Sequence, residues 1–491
     1  MAKRFNCTAV NEIRPIELRE GEVLYERVAD RLQGSIEAGT LQPGDRIPSV
    51  RKLKAQLSVS ASTVLEAYRL LEDRGLVEAK PRSGYFVKAA LRRLPDEPTP
   101  SISNCRACAI DLSLAMQVYA AAVNAPNAVQ LGAAVPSLEL LPTRSLDRLM
   151  SRVLRQQSQV VHEYGSVLGR IELRHEIARR LLDAGCSVFP DEIVVTNGTT
   201  EALSLSLQAV TKPGDAIAVE SPTYYGLLEA LASLHLQVLE LPTHPREGIC
   251  LDALETALRS RAIAACVLVS NFSNPLGNVL SDEKKQRLAE LAAQYETPIV
   301  EDDVYGDLSF EGFRPKAIKA FDRGGWVMYC ASFSKTLSPG WRIGWSIPGR
   351  FQSRVEQHKL AKNYATANAP QLAIAAFLNN GGYDRHLRRL RSAYRTQVMQ
   401  TTQAVCEFFP PGTKVTRPTG GHILWVELPE GTDSLVLYEL AFERDIHIAP
   451  GVMFSPSGQF RNCLRLNCAF PVSQEIYDAV KTLGILASSI L

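Results

Sequence analysis

Along residues 23–73 apolar positions recur every three or four residues, a spacing that predicts three helices. Leu24, Val28, Leu32 and Ile36 line the first, over 23–38, and Gly39 ends it. Val50, Leu53 and Leu57 line the second, which follows Pro48-Ser49. The tight turn Leu57-Ser58-Val59-Ser60 leads to a third, capped by Ser60, lined by Val64, Tyr68 and Leu71 and stopped by Gly75. Next, Leu76-Val77-Glu78-Ala79 and Tyr85-Phe86-Val87 flank Pro81-Arg82-Ser83-Gly84, which predicts a β-hairpin with a basic tip. Pro95, Pro98 and Pro100 then disfavour regular structure and suit a semi-stiff tether, with a short helix over 111–123.

From residue 128 the pattern changes. Short unbroken apolar runs at 192–196, 216–219, 264–269, 298–301 and 327–330 alternate with helical spacing. Such runs suit strands buried on both faces and predict a mostly parallel sheet with helices on both sides. Ligands of such sheets gather at the carboxyl ends of strands. The expected organisation is multidomain: a tail over 1–22, a small winged helix-turn-helix of α+β type over 23–88, a linker over 89–127 and a large α/β domain over 128–491.

Composition narrows the setting. With 46% hydrophobic and 22% charged positions in 491 residues, the chain is an ordinary globular protein with room for more than one domain. No apolar run reaches the roughly 18 residues of a membrane span, and the N-terminus lacks a signal-like apolar core, so a cytoplasmic protein is expected. The ten cysteines are scattered, mostly in apolar stretches, and disulfides are not expected. Only Cys105 and Cys108 have a redox or metal spacing; no second pair follows, and no metal is expected. Net charge is only +2, but residues 23–88 hold 11 Lys/Arg against 8 Asp/Glu, so the positive excess lies in the small domain.

That excess suits nucleic acid. Ser60, Ser62 and Thr63 open the third helix with short donors for phosphates or base edges, and Arg51 on the preceding helix can clamp a phosphate. Arg46, Ser49 and the hairpin tip, Arg82, Ser83 and Gly84, complete the candidate DNA contacts. Pro43-Gly44-Asp45-Arg46-Ile47-Pro48-Ser49 and the stretch from Val64 to Val87 resemble the winged-helix domain of GntR-type bacterial regulators. This resemblance implies double-stranded operator DNA as a partner.

In the large domain one segment carries the most chemistry: Ser332-Phe333-Ser334-Lys335-Thr336-Leu337-Ser338-Pro339-Gly340-Trp341-Arg342. A lysine forms a Schiff base only when part of it is neutral, which burial or nearby positive charge achieves, and Arg342 can supply that charge. The hydroxyls and guanidinium can hold a phosphate; a surface Ser/Lys loop explains the segment equally well in isolation. Other candidates sit after predicted strands. Asn197-Gly198-Thr199-Thr200 opens a helix toward a phosphate. Tyr224 can stack on a ring, Asn274 precedes a turn-forming proline, and Glu301-Asp302-Asp303-Val304-Tyr305 puts carboxylates at a strand mouth. Arg465, a charge inside an apolar strand pattern, can take a substrate carboxylate or a structural salt bridge.

The order of these residues is specific. Gly198-Thr199-Thr200, Tyr224, Asn274, Asp302 with Tyr305, Ser332 with Ser334 and Lys335, Arg342 and Arg465 resemble the sequential motif set of fold-type I pyridoxal-phosphate aminotransferases over 128–491. The resemblance implies a smaller C-terminal α+β subdomain, Lys335 as the Schiff-base lysine and Asp302 as partner of the pyridine nitrogen. It implies Asn274 and Tyr305 on the ring hydroxyl, Tyr224 stacked on the ring, and Arg465 on the substrate carboxylate. Gly198, Thr199, Thr200, Ser332, Ser334 and Arg342 would form the phosphate cup, and Tyr164 would reach the phosphate of a neighbouring subunit in a homodimer. A winged helix joined to such a domain is similar to the MocR subgroup of GntR regulators. That implies a transcription factor sensing pyridoxal phosphate, an amino acid or an amine; a working aminotransferase with an accessory DNA-binding arm is the alternative. The spacing of Tyr305 from Asp302 resembles α-aminoadipate and kynurenine aminotransferases.

Overall fold

The computed structural model describes residues 23–37, 40–41, 44–80, 83–87, 95–103, 106–110, 113–125 and 127–491. It divides into two compact units, one up to Leu94 and one from Pro95.

In the first unit the three expected helices are Leu24–Glu37, Val50–Leu57 and Ala61–Asp73. Polar caps set where two of them start: Ser49 Oγ accepts from Lys52 N at 3.3 Å, and Ser60 Oγ accepts from Thr63 N at 3.0 Å. Between them Ser58 takes a left-handed conformation, which turns the chain tightly. Val28, Leu53, Leu57, Val64, Tyr68 and Leu71 meet in one core. Arg74, 3% exposed, reaches back from the end of the third helix to Asp30 at 2.6 Å and Gln33 at 2.8 Å on the first. The hairpin pairs Val77–Lys80 with Gly84–Val87, and Arg46 bridges to Phe86, so the segment ahead of the second helix closes the small sheet.

The second unit is built on a large mixed sheet. Strands Gln237–His244, Ala216–Ser221, Ala265–Leu268, Ile299–Asp302 and Val327–Ser332 run parallel in that spatial order. Ile343–Ile347 runs antiparallel to the last of them and pairs on its other side, again antiparallel, with Val194–Asn197. Val194–Asn197 therefore ends at the same edge as the parallel strands, and Ile343–Ile347 begins there. Cores of buried aliphatic residues lie on both faces. The expected C-terminal subdomain is a four-stranded antiparallel sheet of Lys414–Val415, Ile423–Glu427, Cys463–Asn467 and Ala449–Pro450, with helices Ser434–Phe442 and Gln474–Ser489 against it. Two strands of the large sheet, Gln237–His244 and Ile343–Ile347, were not among the expected runs.

The linker expected over 89–127 is corrected from Pro95 onward, where the chain belongs to the large unit. Its prolines do prevent regular structure, but the carbonyls and serines between them find partners. Asp96 O accepts from Val415 N at 2.9 Å. Ser101 Oγ donates to Ser221 O at 2.6 Å and accepts from Thr243 N at 2.8 Å. Ser103 Oγ donates to Glu240 O at 2.5 Å, and Ala107–Cys108 adds a short antiparallel strand to Gln237–His244. The strap thus covers a sheet edge that would otherwise present unpaired peptide groups. The helix expected over 111–123 is Ser113–Asn124. The eight cysteines among the described residues form no disulfide; Cys105 lies outside them. Among the described residues no helix is long and apolar enough to cross a membrane, and no cluster of His, Cys, Asp and Glu could hold a metal.

The small unit rests on few apolar side chains, so Leu71→Ala should cost about 2–5 kcal/mol there and unfold it. Thermal unfolding followed by circular dichroism should show a separate early transition, with the transition of the large unit in place.

Candidate cofactor and effector site

The polarity of the large sheet gathers the candidate residues. Asn197, Ser221, Leu268, Asp302 and Ser332 end their strands at one edge, and the segments carrying Thr199, Tyr224, Asn274, Tyr305 and Lys335 follow directly. Arg342 arrives at the same edge because it precedes the antiparallel strand Ile343–Ile347, whose Ile343 lies opposite Asn197.

One corner of the site is shaped for an anion. Helix Thr199–Val210 starts at Gly198 with no side chain capping it, and Thr199 Oγ1 is buried without a hydrogen-bond partner. Gly198 has φ +80, and a Cβ there would lie 2.3 Å from Arg342 Nη2, so only glycine lets the guanidinium approach the helix start. Arg342 Nη2 donates to Asn197 O at 3.2 Å. Ser332 and Ser334 are buried across from this start, Ser334 N donating to Ser332 Oγ at 3.3 Å. Free backbone N–H groups, an orphan hydroxyl and a guanidinium together fit a phosphate.

Among three consecutive acids, hydrogen bonding singles out one. Glu301 accepts from Ser270 Oγ and from the backbone N–H of Ile318 at 2.7 Å and of Lys319 at 3.0 Å. Asp303 accepts from Arg314 at 2.8 Å, Asn271 at 2.9 Å and Tyr329 at 3.1 Å. Asp302 has one bond, from Val304 N at 3.2 Å, although it is only 7% exposed. Burial raises its pKa to about 7, against the bond from Val304 and with Asp303 adding to the rise. A buried carboxyl with spare acceptor capacity fits a protonated ring nitrogen.

Lys335 Nζ donates to Ala134 O at 2.5 Å and lies 5.8 Å from the ring of Tyr305. Burial, then the charge of Arg465, lowers its pKa to about 8; Asp302 opposes this, and Arg342, expected as the main positive neighbour, contributes least. The amine is therefore partly neutral at physiological pH. Arg465 is completely buried. Its Nη1 donates to Asn274 Oδ1 at 2.9 Å, its Nη2 to Gly132 O, and its Nε has no partner. Its guanidinium lies 4.9 Å from the ring of Phe454 and 5.5 Å from that of Tyr225. No ion pair holds it among the described residues, so the structural salt bridge considered for it is absent there. Tyr224 stands 5.0 Å from Tyr225, ring to ring. Tyr164 is 90% exposed beside Tyr364, so its own chain hardly buries it.

Two family models match the chain. One, aminotransferase class I and II, covers residues 128–483; the other, bacterial regulatory proteins of the gntR family, covers 24–87. The HTH-type transcriptional regulator YjiR of Escherichia coli is 39% identical over 462 residues, 94% of this chain and 98% of the relative. The chain is a GntR-family regulator of the MocR type. Its large unit is similar to a Thermus thermophilus α-aminoadipate aminotransferase complexed with N-(5'-phosphopyridoxyl)-L-leucine, at TM-score 0.71 and 27% identity over 78% of this chain and 96% of that one. A Pyrococcus horikoshii kynurenine aminotransferase in complex with PMP also matches at TM-score 0.71, with 29% identity and the same coverage. Neighbours of this class are pyridoxal-phosphate dependent, in keeping with the phosphate corner and Asp302.

The site of this MocR-type chain also contains residues that motif reasoning missed. His422 is fully buried between the rings of Tyr394 at 5.0 Å and Tyr305 at 5.6 Å. Its Nδ1 lies 2.9 Å from Asn467 Oδ1, which also accepts from Ala469 N; Nδ1 therefore carries the proton, and Nε2 is left as a bare acceptor. Burial and then the charge of Lys335 lower its pKa to about 3, so it is neutral. Tyr394 Oη is likewise unpartnered. Gly420-Gly421-His422 offered only an ordinary turn and strand start in the sequence. Beside Asp302 in the strand register, Cys330 contacts the hydroxyls of Ser206 at 3.5 Å and Ser346 at 3.9 Å.

In the winged helix Arg51, Ser60, Ser62, Ser83 and Gly84 are exposed, and Thr63 is half-buried. Ser60 Oγ is shared among the Thr63 N–H and the hydroxyls of Ser62 at 2.7 Å and Thr63 at 2.8 Å, and Ser49 is occupied as a cap. Arg46 lies over Gly84 at the wing, where a Cβ would come within 3.3 Å of its guanidinium. Arg82 lies outside the described residues.

An ordinary aspartate loses its proton near pH 4. Asp302 keeps its proton to about 7 in the folded protein. Between those values the folded chain holds a proton that the unfolded chain has released, so this group makes stability fall as pH rises. Asp302→Asn removes that dependence. The unfolding midpoint of cofactor-free variant should decline less from about pH 4 to 7 than that of the parent chain; identical profiles would contradict the assignment.

Proposed function

We propose that this chain is a transcriptional regulator whose large unit binds pyridoxal phosphate through a Schiff base at Lys335 and responds to an amino acid or amine. The observation that supports it most directly is a lysine whose pKa is lowered to about 8, and which is therefore partly neutral, in one chain with a winged helix. Bound there, pyridoxal phosphate supplies an aldehyde that exchanges one amine for another and a ring that draws electrons from the carbon beside that amine. Asp302 would hold the proton of the ring nitrogen, Asn274 and Tyr305 would hold the ring oxygen, and Tyr224 would pack against the ring. Gly198, Thr199, Thr200, Ser332, Ser334 and Arg342 take the phosphate, joined in a homodimer by Tyr164 from the second copy. Arg465 takes the carboxylate of an amino-acid effector, which removes the cost of its unpaired burial.

Exchange of one amine for another at Lys335 changes which groups Lys335, Asn274 and Arg465 contact. A regulator needs only that this change be transmitted as a difference in DNA affinity. Arg46, Ser49, Arg51, Ser60, Ser62, Thr63, Arg82, Ser83 and Gly84 supply the DNA contacts. The decisive experiment titrates purified protein with a panel of amino acids and amines, with and without its own promoter fragment. A visible spectral change that shifts promoter affinity supports the regulator. Cofactor binding with no salt-sensitive preference for that promoter over random DNA ends this reading.

A second reading, an active aminotransferase, is favoured by one observation: among the described residues the buried Arg465 has no carboxylate partner, so it can take that of an amino-acid substrate. It requires that added amino acids convert the bound cofactor to its amine form with release of a keto acid.

Lys335→Ala should abolish the visible absorbance of bound cofactor. Because only the neutral amine attacks a carbonyl, cofactor uptake by the parent chain should quicken as pH rises through about 8 and then level off. An unchanged spectrum in the variant, or a flat uptake profile, would remove Lys335 from this role.

A further inference from the structure

The helix Thr143–Gln156 carries a face that the site does not use. Arg144, Arg148, Arg152 and Arg155 are spaced by four, four and three, so at 3.6 residues per turn they fall within about 80° of arc and along about 16 Å of axis. All four are exposed. On the opposite side Leu146 and Val153 are buried, and Leu149 and Met150 pack toward Leu372, Ala373 and Trp341. No ion pair joins any of the four arginines among the described residues. Arg148 bonds only within its own helix, to Arg144 O at 3.2 Å and Ser145 Oγ at 3.3 Å. Asp147 is the helix's only acid, so these 14 residues carry +3, more than the +2 of the whole chain.

Like charges four residues apart destabilise a helix, and an anion laid along the face relieves that cost. Guanidinium groups bind phosphate better than any other side chain, through paired donors. The column spans about 16 Å, or about five base pairs at 3.4 Å each along one strand. A straight, rigid row of this length suits the regular backbone of a duplex. Single strands are held by aromatic stacking as well, and this helix has no aromatic residue.

We infer that Arg144, Arg148, Arg152 and Arg155 form a second DNA-contacting surface, on the large unit, that grips the phosphate backbone of double-stranded DNA without reading its sequence. This rests on the reading of the chain as a DNA-binding regulator.

The test uses full-length, cofactor-loaded protein and a random-sequence duplex of about 60 base pairs, with affinity measured across a salt series. Each phosphate contact contributes about 0.9 to the slope of log affinity against log salt. Arg148→Ala/Arg152→Ala should reduce that slope by about 2 and weaken binding at low salt about ten-fold or more. The charge-matched control Arg323→Ala/Arg444→Ala, exposed elsewhere on the large unit, should leave both unchanged. Retained cofactor absorbance reports that each variant is folded. A slope equal to that of the control overturns the inference, as does loss of affinity for single-stranded RNA with duplex binding intact. Lack of promoter preference in the parent chain would instead end the regulator reading, while the slope comparison still decides this one.

Discussion

Arg465 is completely buried, and a buried charge is costly unless it is paired. Here its partners are two neutral oxygens from distant parts of the chain, Asn274 Oδ1 and Gly132 O. One guanidinium therefore joins the C-terminal sheet, the loop after Ala265–Leu268 and the segment around Gly132. The arrangement is stable enough to hold the site open and incomplete enough to prefer an anion. Removing the arginine would release all three segments; adding a carboxylate would tighten them.

The same charge sets the chemistry nearby. It depresses the Lys335 amine, helps keep His422 neutral and draws down the hydroxyl pKa that burial raises at Tyr305. Asp302 opposes it at Lys335. The pocket is thus a balance between one unpaired cation and one underused acid, while Glu301 and Asp303 are tied into the scaffold. Residue type and position presented these three carboxylates as equals, and only the family resemblance picked out Asp302. Their difference lies in which neighbours reach them, and those neighbours, Ile318, Arg314 and Asn271, are distant in the chain.

What was legible before the structure follows from locality. Five of the seven main strands of the large sheet were readable because both faces are buried and the apolar runs are unbroken. Gln237–His244 was not, because Glu240 and Pro242 interrupt it, and Ile343–Ile347 was hidden by Gly344 and Ser346. The cap at Ser60 and the order of the site motifs were visible for the same reason, being local. The strap at 95–110 was misjudged because proline density reports the absence of helix and strand and says nothing about anchoring by lone serines and carbonyls. His422 left no mark because a histidine after two glycines has no motif of its own.

The thiol of Cys330 sits beside the strand position of Asp302, and burial pushes it up to about 12; Cys186 and Cys468 are held as high by the same cause. Oxidants and alkylating agents attack the thiolate, which these residues do not form near neutral pH. Near neutral pH these three thiols are thereby redox-silent. A change in the redox state around the protein therefore leaves these three side chains unmodified near neutral pH.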